Sequence, residues 1–291
     1  MYVHIMTYNM AMGAKRDDSK PLIPKDDALD AFACSFSNTV NYSRLDPWVI
    51  CVQEIDRDYK GTNQVDELQN QLQHNTDTQW WKNSNTLPDS SSDEAVAIFA
   101  NRQIVKVQRW SLPADRVAVA VKIELGDGHY LWVVNMHPIK PESDPDGSER
   151  VESIQYVLQQ TATFDATVPI AICGDMNIWD THPGTYSNKV APDEQTLDQE
   201  EDLFQQTIGK CERFCFTRGK DFVPGTADIT FHAWSDTSDQ NQYWDLLDYI
   251  LVNEAQKCTA DRPTIVNYTC TSGTSTVYLS DHKGLLMTVG F

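Results

Sequence analysis

The chain has 291 residues, 41% hydrophobic and 22% charged, the balance of a globular protein long enough to bury a substantial core. Its 42 acidic and 23 basic residues leave a formal charge of −19, which repels polyanions at long range and argues against holding nucleic acid in a broad basic groove. No run approaches the eighteen apolar residues of a membrane span, and the start MYVHIMTYNM lacks signal-peptide features, so export is expected only if a leader has been removed.

Short apolar runs rich in Val and Ile predict strands at 3–8, 48–52, 95–99, 117–125, 131–136, 168–173, 246–252 and 284–289. Between them lie three helical stripes. Leu29, Phe32, Ala33, Phe36 and Val40 repeat every 3.6 residues, with Asp26 and Asp27 suited to the first turn. Val65, Leu68 and Leu72 form a second stripe, and Val151, Ile154, Leu158 and Thr161 a third. Each stripe covers one face of a sheet, and the other face of the strands packs most simply on a second sheet. Segments 82–93, 140–149, 180–202 and 235–243 are wet and predict surface loops. The carboxylates Asp17, Asp18, Glu200, Glu201 and Asp202 read as solvated faces or turns. No Gly/Ser- or Pro-rich linker divides the chain, which predicts one domain over 1–291.

Six of the seven cysteines divide in two groups. Cys51 and Cys173 sit in apolar runs and are expected to be buried free thiols. Cys211 with Cys215, and Cys258 with Cys270, lie in polar segments and are candidate disulfides if the protein is exported. Cys34 leaves the total odd.

The apolar runs share one feature: most end in carboxylate, amide or imidazole groups. These are Asn9, Glu54, His137, Asp175 with Asn177, and Asp281 with His282 before the last run. Any one of them could be a turn residue or a cap. Asp248, set among Leu246, Leu247, Tyr249 and Ile250, is harder to place, because a charge in so apolar a strand needs a partner, and His282 is chemically apt. Asn9 and Glu54 offer hard oxygens that suit Mg2+ or Mn2+. His137 and His282 offer donors for phosphoryl oxygens or proton transfer. Asp175 and Asn177, two apart, share a face if extended.

In order along the chain, TYN at 7–9, QE at 53–54, NMH at 135–137, GDMN at 174–177, LLDYILV at 246–252 and SDH at 280–282 resemble the endonuclease/exonuclease/phosphatase superfamily. The resemblance implies a four-layer α/β/β/α sandwich, with two mixed sheets face to face and helices outside. It implies Mg2+-dependent hydrolysis of a phosphate ester, with Mn2+ as an alternative cation. Glu54 would bind the metal with Asn9 close by and Asp281 near the cluster. Asp175 would position or deprotonate the attacking water, and Asn177 would orient it or the phosphate. Asp248 would fix His282, while His137 would bind phosphate or protonate the leaving oxygen, with Glu94 or the adjacent Asp93 as its acidic partner. Arg116, just before a predicted strand, matches a phosphate-contacting arginine. The segment Trp244-Asp-Leu-Leu-Asp248 departs from the family by carrying Asp245 and no basic residue.

For the substrate, the resemblance leaves nucleic acid first, ahead of a lipid headgroup, as in sphingomyelinases, and a phosphoinositide or other phosphomonoester. A non-catalytic binding or toxin-like subunit is disfavoured because none of Glu54, Asp175 and His282 is missing. Trp80, Trp81, Trp179, Trp234, Tyr243 and Trp244 are candidates for a bilayer-facing surface, and Trp179 and Trp234 equally for stacking on a base or sugar.

Overall fold

The computed structural model describes residues 1–10, 25–39, 42–56, 63–83, 94–178, 194–213, 216–217, 231–232, 244–245, 247–253, 259–272, 275–280 and 282–290. In chain order the strands are β1 (Tyr2–Asn9), β2 (Trp48–Asp56), β3 (Trp81–Lys82), β4 (Glu94–Ala100), β5 (Ile104–Ser111), β6 (Val117–Gly126), β7 (His129–Met136) and β8 (Ile170–Asp175). They continue with β9 (Phe216–Thr217), β10 (Phe231–His232), β11 (Trp244–Asp245), β12 (Asp248–Asn253), β13 (Thr259–Ala260), β14 (Thr264–Val266), β15 (Thr269–Ser272), β16 (Ser275–Tyr278) and β17 (Gly284–Gly290). The helices are α1 (Lys25–Thr39), α2 (Gln64–Thr76), α3 (Ser148–Thr161), α4 (Glu194–Gln206) and α5 (Ile208–Arg213).

Two sheets dominate. One runs β13-β17-β1-β2-β4-β3, with β14 also on β17, and the other runs β5-β6-β7-β8-β12-β9. Both are mixed: β1 and β2 are parallel, as are β7 and β8, whereas β17, β4 and β12 run antiparallel to their neighbours. Side chains alternate across each strand, so each sheet has two apolar faces to cover. The inner faces meet in a core of Val3, Ile5, Val49, Cys51, Ile98, Val119, Val133, Cys173, Ile250 and Met287, among others. The outer face of the first sheet is closed by α1 and α2, where Leu29, Phe32, Phe36, Leu68 and Leu72 pack on Met6, Tyr8, Ile50 and Val52. The outer face of the second is closed by α3 to α5, whose Ile154, Val157, Leu203, Phe204 and Ile208 pack on Val134 and Ile172. The result is the expected four-layer sandwich.

A polar bolt crosses the inner core. Gln53 Nε2 donates to Thr7 Oγ1 at 3.0 Å and to Asn135 Oδ1 at 2.7 Å. Asn135 Nδ2 in turn donates to the Val52 and Ala97 carbonyls at 2.8 and 2.9 Å. Thr7, Gln53 and Asn135 are fully buried, so these bonds repay desolvation that apolar packing would not.

Several expectations need correction. Residues 194–202 belong to α4 rather than to a loop. The run of Glu, Asp and Gln hides an apolar side, Leu203 and Phe204, that seats the helix. Within the wet segment 140–149, Asp144 is buried. Cys211 is a buried free thiol, because its helix face turns into the core, so it does not pair with Cys215. Cys51 and Cys173 are buried and free as expected. Trp80 is 1% exposed, with its indole N–H bonded to Thr76 Oγ1, and so offers nothing to a bilayer. Glu201 and Asp202 are exposed, as predicted. Val40, Asp17, Asp18, Asp93, Trp179, Trp234, Tyr243, Cys215, Cys258 and Asp281 lie outside the described residues, as do the side chains of Glu94, Glu200, Trp244 and Cys270. Among the described residues, no helix is long and apolar enough to cross a membrane.

Candidate active site

Strands β1, β2, β7 and β8 run in a common direction within their sheets and bring their C-terminal ends to one edge of the sandwich. Asn9, Glu54, His137 and Asp175 stand there, and the start of β12 and the segment two residues before β17 add Asp248 and His282. All six are less than a tenth exposed.

Three backbone features aim these side chains. The β2–β4 register shifts between Val52 and Ile55, and within that bulge Glu54 takes φ 52°, which re-aims its carboxylate. At the end of β8, Gly174 holds φ 145°, and a Cβ there would lie 1.9 Å from the Met136 carbonyl oxygen. No other residue fits, because the obstruction is backbone. Asn177 then takes φ 51°. Left-handed non-glycine residues cost free energy and persist where the surroundings impose them. Here Arg150, 1% exposed, donates from Nη1 to the Asn177 carbonyl at 2.8 Å while its Nε pairs with Asp144 at 3.1 Å. Asn177 Nδ2 donates to the Pro138 carbonyl at 3.0 Å, and Tyr249 holds the Ile178 carbonyl at 2.9 Å. Sequence reading missed Arg150 and Asp144. An arginine facing inward beside the Ile154 and Leu158 stripe of α3 was the signal.

Asp175 is the hub. Its Oδ1 accepts the Asn177 N–H at 2.9 Å, and its Oδ2 accepts Asn9 Nδ2 at 2.9 Å. Nε2 of His137 and Nε2 of His282 each lie 3.6 Å from that same Oδ2. Asn9 Nδ2 also donates to Glu54 Oε1 at 3.2 Å, so one amide bridges two carboxylates. His137 Nε2 stands 3.7 Å from Glu54 Oε1. His282 Nδ1 lies 2.8 Å from Asp248 Oδ2, the partnership anticipated from the buried charge in the strand. With the proton on Nδ1, that contact leaves Nε2 facing Asp175. Ser280 Oγ donates to the Asn9 carbonyl at 2.7 Å and accepts the His282 N–H at 3.1 Å, which ties the two chain ends of the site together.

The charges are unevenly settled. Burial pushes Asp175 above its ordinary value, with His282 pulling the other way and Asp248 adding to the rise. Burial also pushes on Glu54, but the charges of His137, Lys140 and His282 and the Asn9 hydrogen bond outweigh it and hold the carboxyl below its ordinary value.

Glu54 Oε1 and Asp175 Oδ2 both face the Asn9 amide nitrogen, and carboxylate oxygens of this kind suit a hard divalent cation. Among the described residues, no three His, Cys, Asp or Glu side chains are grouped to hold one, and Asp281, the further expected donor, lies outside them. The donor chemistry of Glu54 and Asn9 fits Mg2+ or Mn2+, provided the Asn9 amide presents its oxygen. Arg116 stands at the start of β6, where Ala118 pairs with Met136, so it shares the site's edge one strand from His137. A cavity of about 320 Å³ lies at the other end of the sheet, lined by Gln155, Gln159, Lys210 and Asn253. Its lining holds neither carboxylate nor imidazole.

Solved structures with this fold are numerous. The chain superposes on a family protein from Bacteroides thetaiotaomicron with a TM-score of 0.65 and 15% identity, covering 100% of this chain and 98% of that one. D. rerio TDP2 complexed with single strand DNA product gives 0.62 and 15%, covering 100% and 99%. A mannosyl-6-phosphatase of Bacteroides thetaiotaomicron gives 0.64 and 16%, covering 99% and 100%. At these identities the likeness concerns the fold. No curated protein sequence matches the chain. A family model, however, matches residues 6–282, which include every described strand end of the site. The chain therefore belongs to the Endonuclease/Exonuclease/phosphatase family, whose members are phosphoesterases, and is itself a hydrolase of phosphate esters.

Proposed function

We propose that the protein is a divalent-cation-dependent phosphodiesterase acting on nucleic acid, a nuclease. The observation that carries the chemistry is the convergence of His137, His282 and Asn9 on one oxygen of Asp175. Glu54, with Asn9 and Asp281, would hold the cation, Mg2+ or Mn2+, which when bound draws charge from the phosphoryl oxygens. Asp175 takes the proton of the attacking water, its raised proton affinity suiting that task. Asn177, fixed through Arg150 and Pro138, orients that water or the phosphate. Asp248 holds His282 in one tautomer and stabilises its charged form against a phosphoryl oxygen. His137 protonates the leaving oxygen, and Arg116 contacts the phosphate from the neighbouring strand.

The substrate ranking rests on likeness to TDP2 holding a single strand DNA product. A charge of −19 suits local contact around the cleaved phosphate rather than a long basic groove. The second reading, a phosphomonoesterase, is favoured by likeness to the mannosyl-6-phosphatase and by the ammonium of Lys140, 3.6 Å from Glu54. The lipid-headgroup reading loses Trp80, which is buried, and keeps Trp81, which is half-buried, among its candidate surface residues.

Purified protein with Mg2+, Mn2+ or EDTA, assayed side by side on single-stranded DNA, RNA, sphingomyelin liposomes and phosphomonoesters, tests the proposal. Cleavage of a nucleic acid, abolished by EDTA, is expected. Activity unaffected by EDTA would remove the mechanism. Activity confined to liposomes or monoesters would replace the substrate.

A further inference from the structure

Lys140 stands three residues beyond His137, at the mouth of the site. Its backbone is held: the Lys140 carbonyl accepts the Ser143 N–H at 3.0 Å, and Pro141 opens the short 3-10 turn that follows. Upstream, Pro138 is pinned by Asn177. Its side chain is 48% exposed and reaches back so that Nζ lies 3.6 Å from Glu54 Oε1. That same oxygen faces Asn9 Nδ2 and His137 Nε2. The backbone at Lys140 is therefore fixed, while its half-exposed side chain presents the ammonium to Glu54. The ammonium rests on the carboxylate assigned to the cation at a distance too long for a tight hydrogen bond.

We infer that Lys140 changes partners during the reaction cycle. In the cation-free protein its ammonium neutralises Glu54. With a cation bound there, Glu54 would no longer hold the ammonium, and Lys140 would turn to a non-bridging oxygen of the substrate's phosphoryl group. The inference rests on the proposed cation-dependent reading of the site. Two physical points support it. A lysine ammonium is a compact charge on a flexible stem, suited to moving between anions. A divalent cation and an ammonium compete for one carboxylate oxygen, because each disfavours the other at close range. The charge balance points the same way. With the cation on Glu54, the displaced ammonium is left at the rim of a site built to receive a phosphoryl group. A phosphomonoester and a phosphodiester both offer such an oxygen, the monoester with the greater charge.

The test compares wild type, Lys140→Gln and Lys140→Arg in two measurements. The first is Mn2+ binding without substrate, by calorimetric titration. Lys140→Gln should bind Mn2+ roughly threefold more tightly or better, since a competing positive charge is gone. The second is hydrolysis of p-nitrophenyl phosphate and bis(p-nitrophenyl) phosphate at saturating Mn2+. Lys140→Gln should raise KM about tenfold, the worth of one hydrogen bond to a charged group, and leave kcat largely intact. Lys140→Arg should stay near wild type in both. A larger KM increase on the monoester would assign the contact to a terminal phosphoryl group, and equal increases to an oxygen common to both esters. Tighter Mn2+ binding with an unchanged or lower KM would overturn the inference, leaving Lys140 a competitor only. Unchanged Mn2+ affinity would overturn the exchange of partners. Wild-type protein that binds no Mn2+ and hydrolyses neither ester would remove the functional reading itself, whereas an active wild type with an unaltered Lys140→Gln would remove only this inference.

Discussion

The two sheets contribute different chemistry to one seam. The seven-stranded sheet brings Asn9 and Glu54, oxygen-bearing groups suited to a cation. The six-stranded sheet brings His137, Asp175, Asn177 and Asp248, the groups proposed above for proton transfer and for orienting water and phosphate. His282, entering β17 of the first sheet, reaches across to Asp248 of the second. Each sheet also bends its backbone differently to present its groups. In the first, a bulge around Glu54 does so. In the second, a glycine without steric alternative precedes the turn at Asn177. The difference teaches that the site depends on the registration of two independent layers, so defects within a layer and defects between layers should be separable.

The largest expected effect strikes the second layer's backbone. In Gly174→Ala the new methyl meets the Met136 carbonyl, which cannot yield without parting β7 from β8. Soluble protein should fall sharply and any that folds should be inactive, as solubility and circular dichroism would show. A well-folded, active variant would break the comparison. Next come Asp175→Ala and His282→Ala, each expected to cut turnover about 10²–10⁴-fold with the fold intact, measured by initial rates and thermal melting. Arg150→Met leaves Asp144 buried without its ion-pair partner and should cost about 3–5 kcal/mol in denaturant unfolding, the usual penalty of a broken buried pair. It should also lower kcat, through Asn177, in whatever molecules remain folded. The smallest effect belongs to the apolar seam itself. Cys51→Val should cost less than about 1.5 kcal/mol and leave kcat/KM unchanged, which would separate filling the seam from aligning it.

The site was legible in the sequence to the extent that its residues break the apolar runs. A carboxylate inside Leu246–Ile250 demanded a partner, and His282 is that partner. The alternation and stripes likewise read correctly wherever the apolar residues were dense, as in β6, β7 and α3. They failed where polarity and burial diverge. In α4 a few apolar side chains seat a helix of mostly Glu, Asp and Gln. In β5, Lys106, Gln108 and Arg109 mask a strand pairing from Ile104 to Ser111. Asp144 lies in a polar segment and Arg150 carries a charge at the head of the α3 stripe, and only their pairing with each other, six residues apart, lets both be buried. Trp80 lay beside a polar segment, yet the helix before it supplied the Thr76 hydroxyl its indole needed.

The bolt of Thr7, Gln53 and Asn135 has a consequence for how such a molecule can change. Apolar surfaces tolerate sliding, since the dispersion attraction given up at one step is recovered at the next. Directional bonds do not: a shear of one residue between the sheets would strand several buried amide groups at once. The alignment of the Asn9–Glu54 side with the His137–Asp175 side is thus secured from beneath, independently of segment 138–147 at the mouth. That segment can take on a new length and new side chains while the alignment below it stays in step.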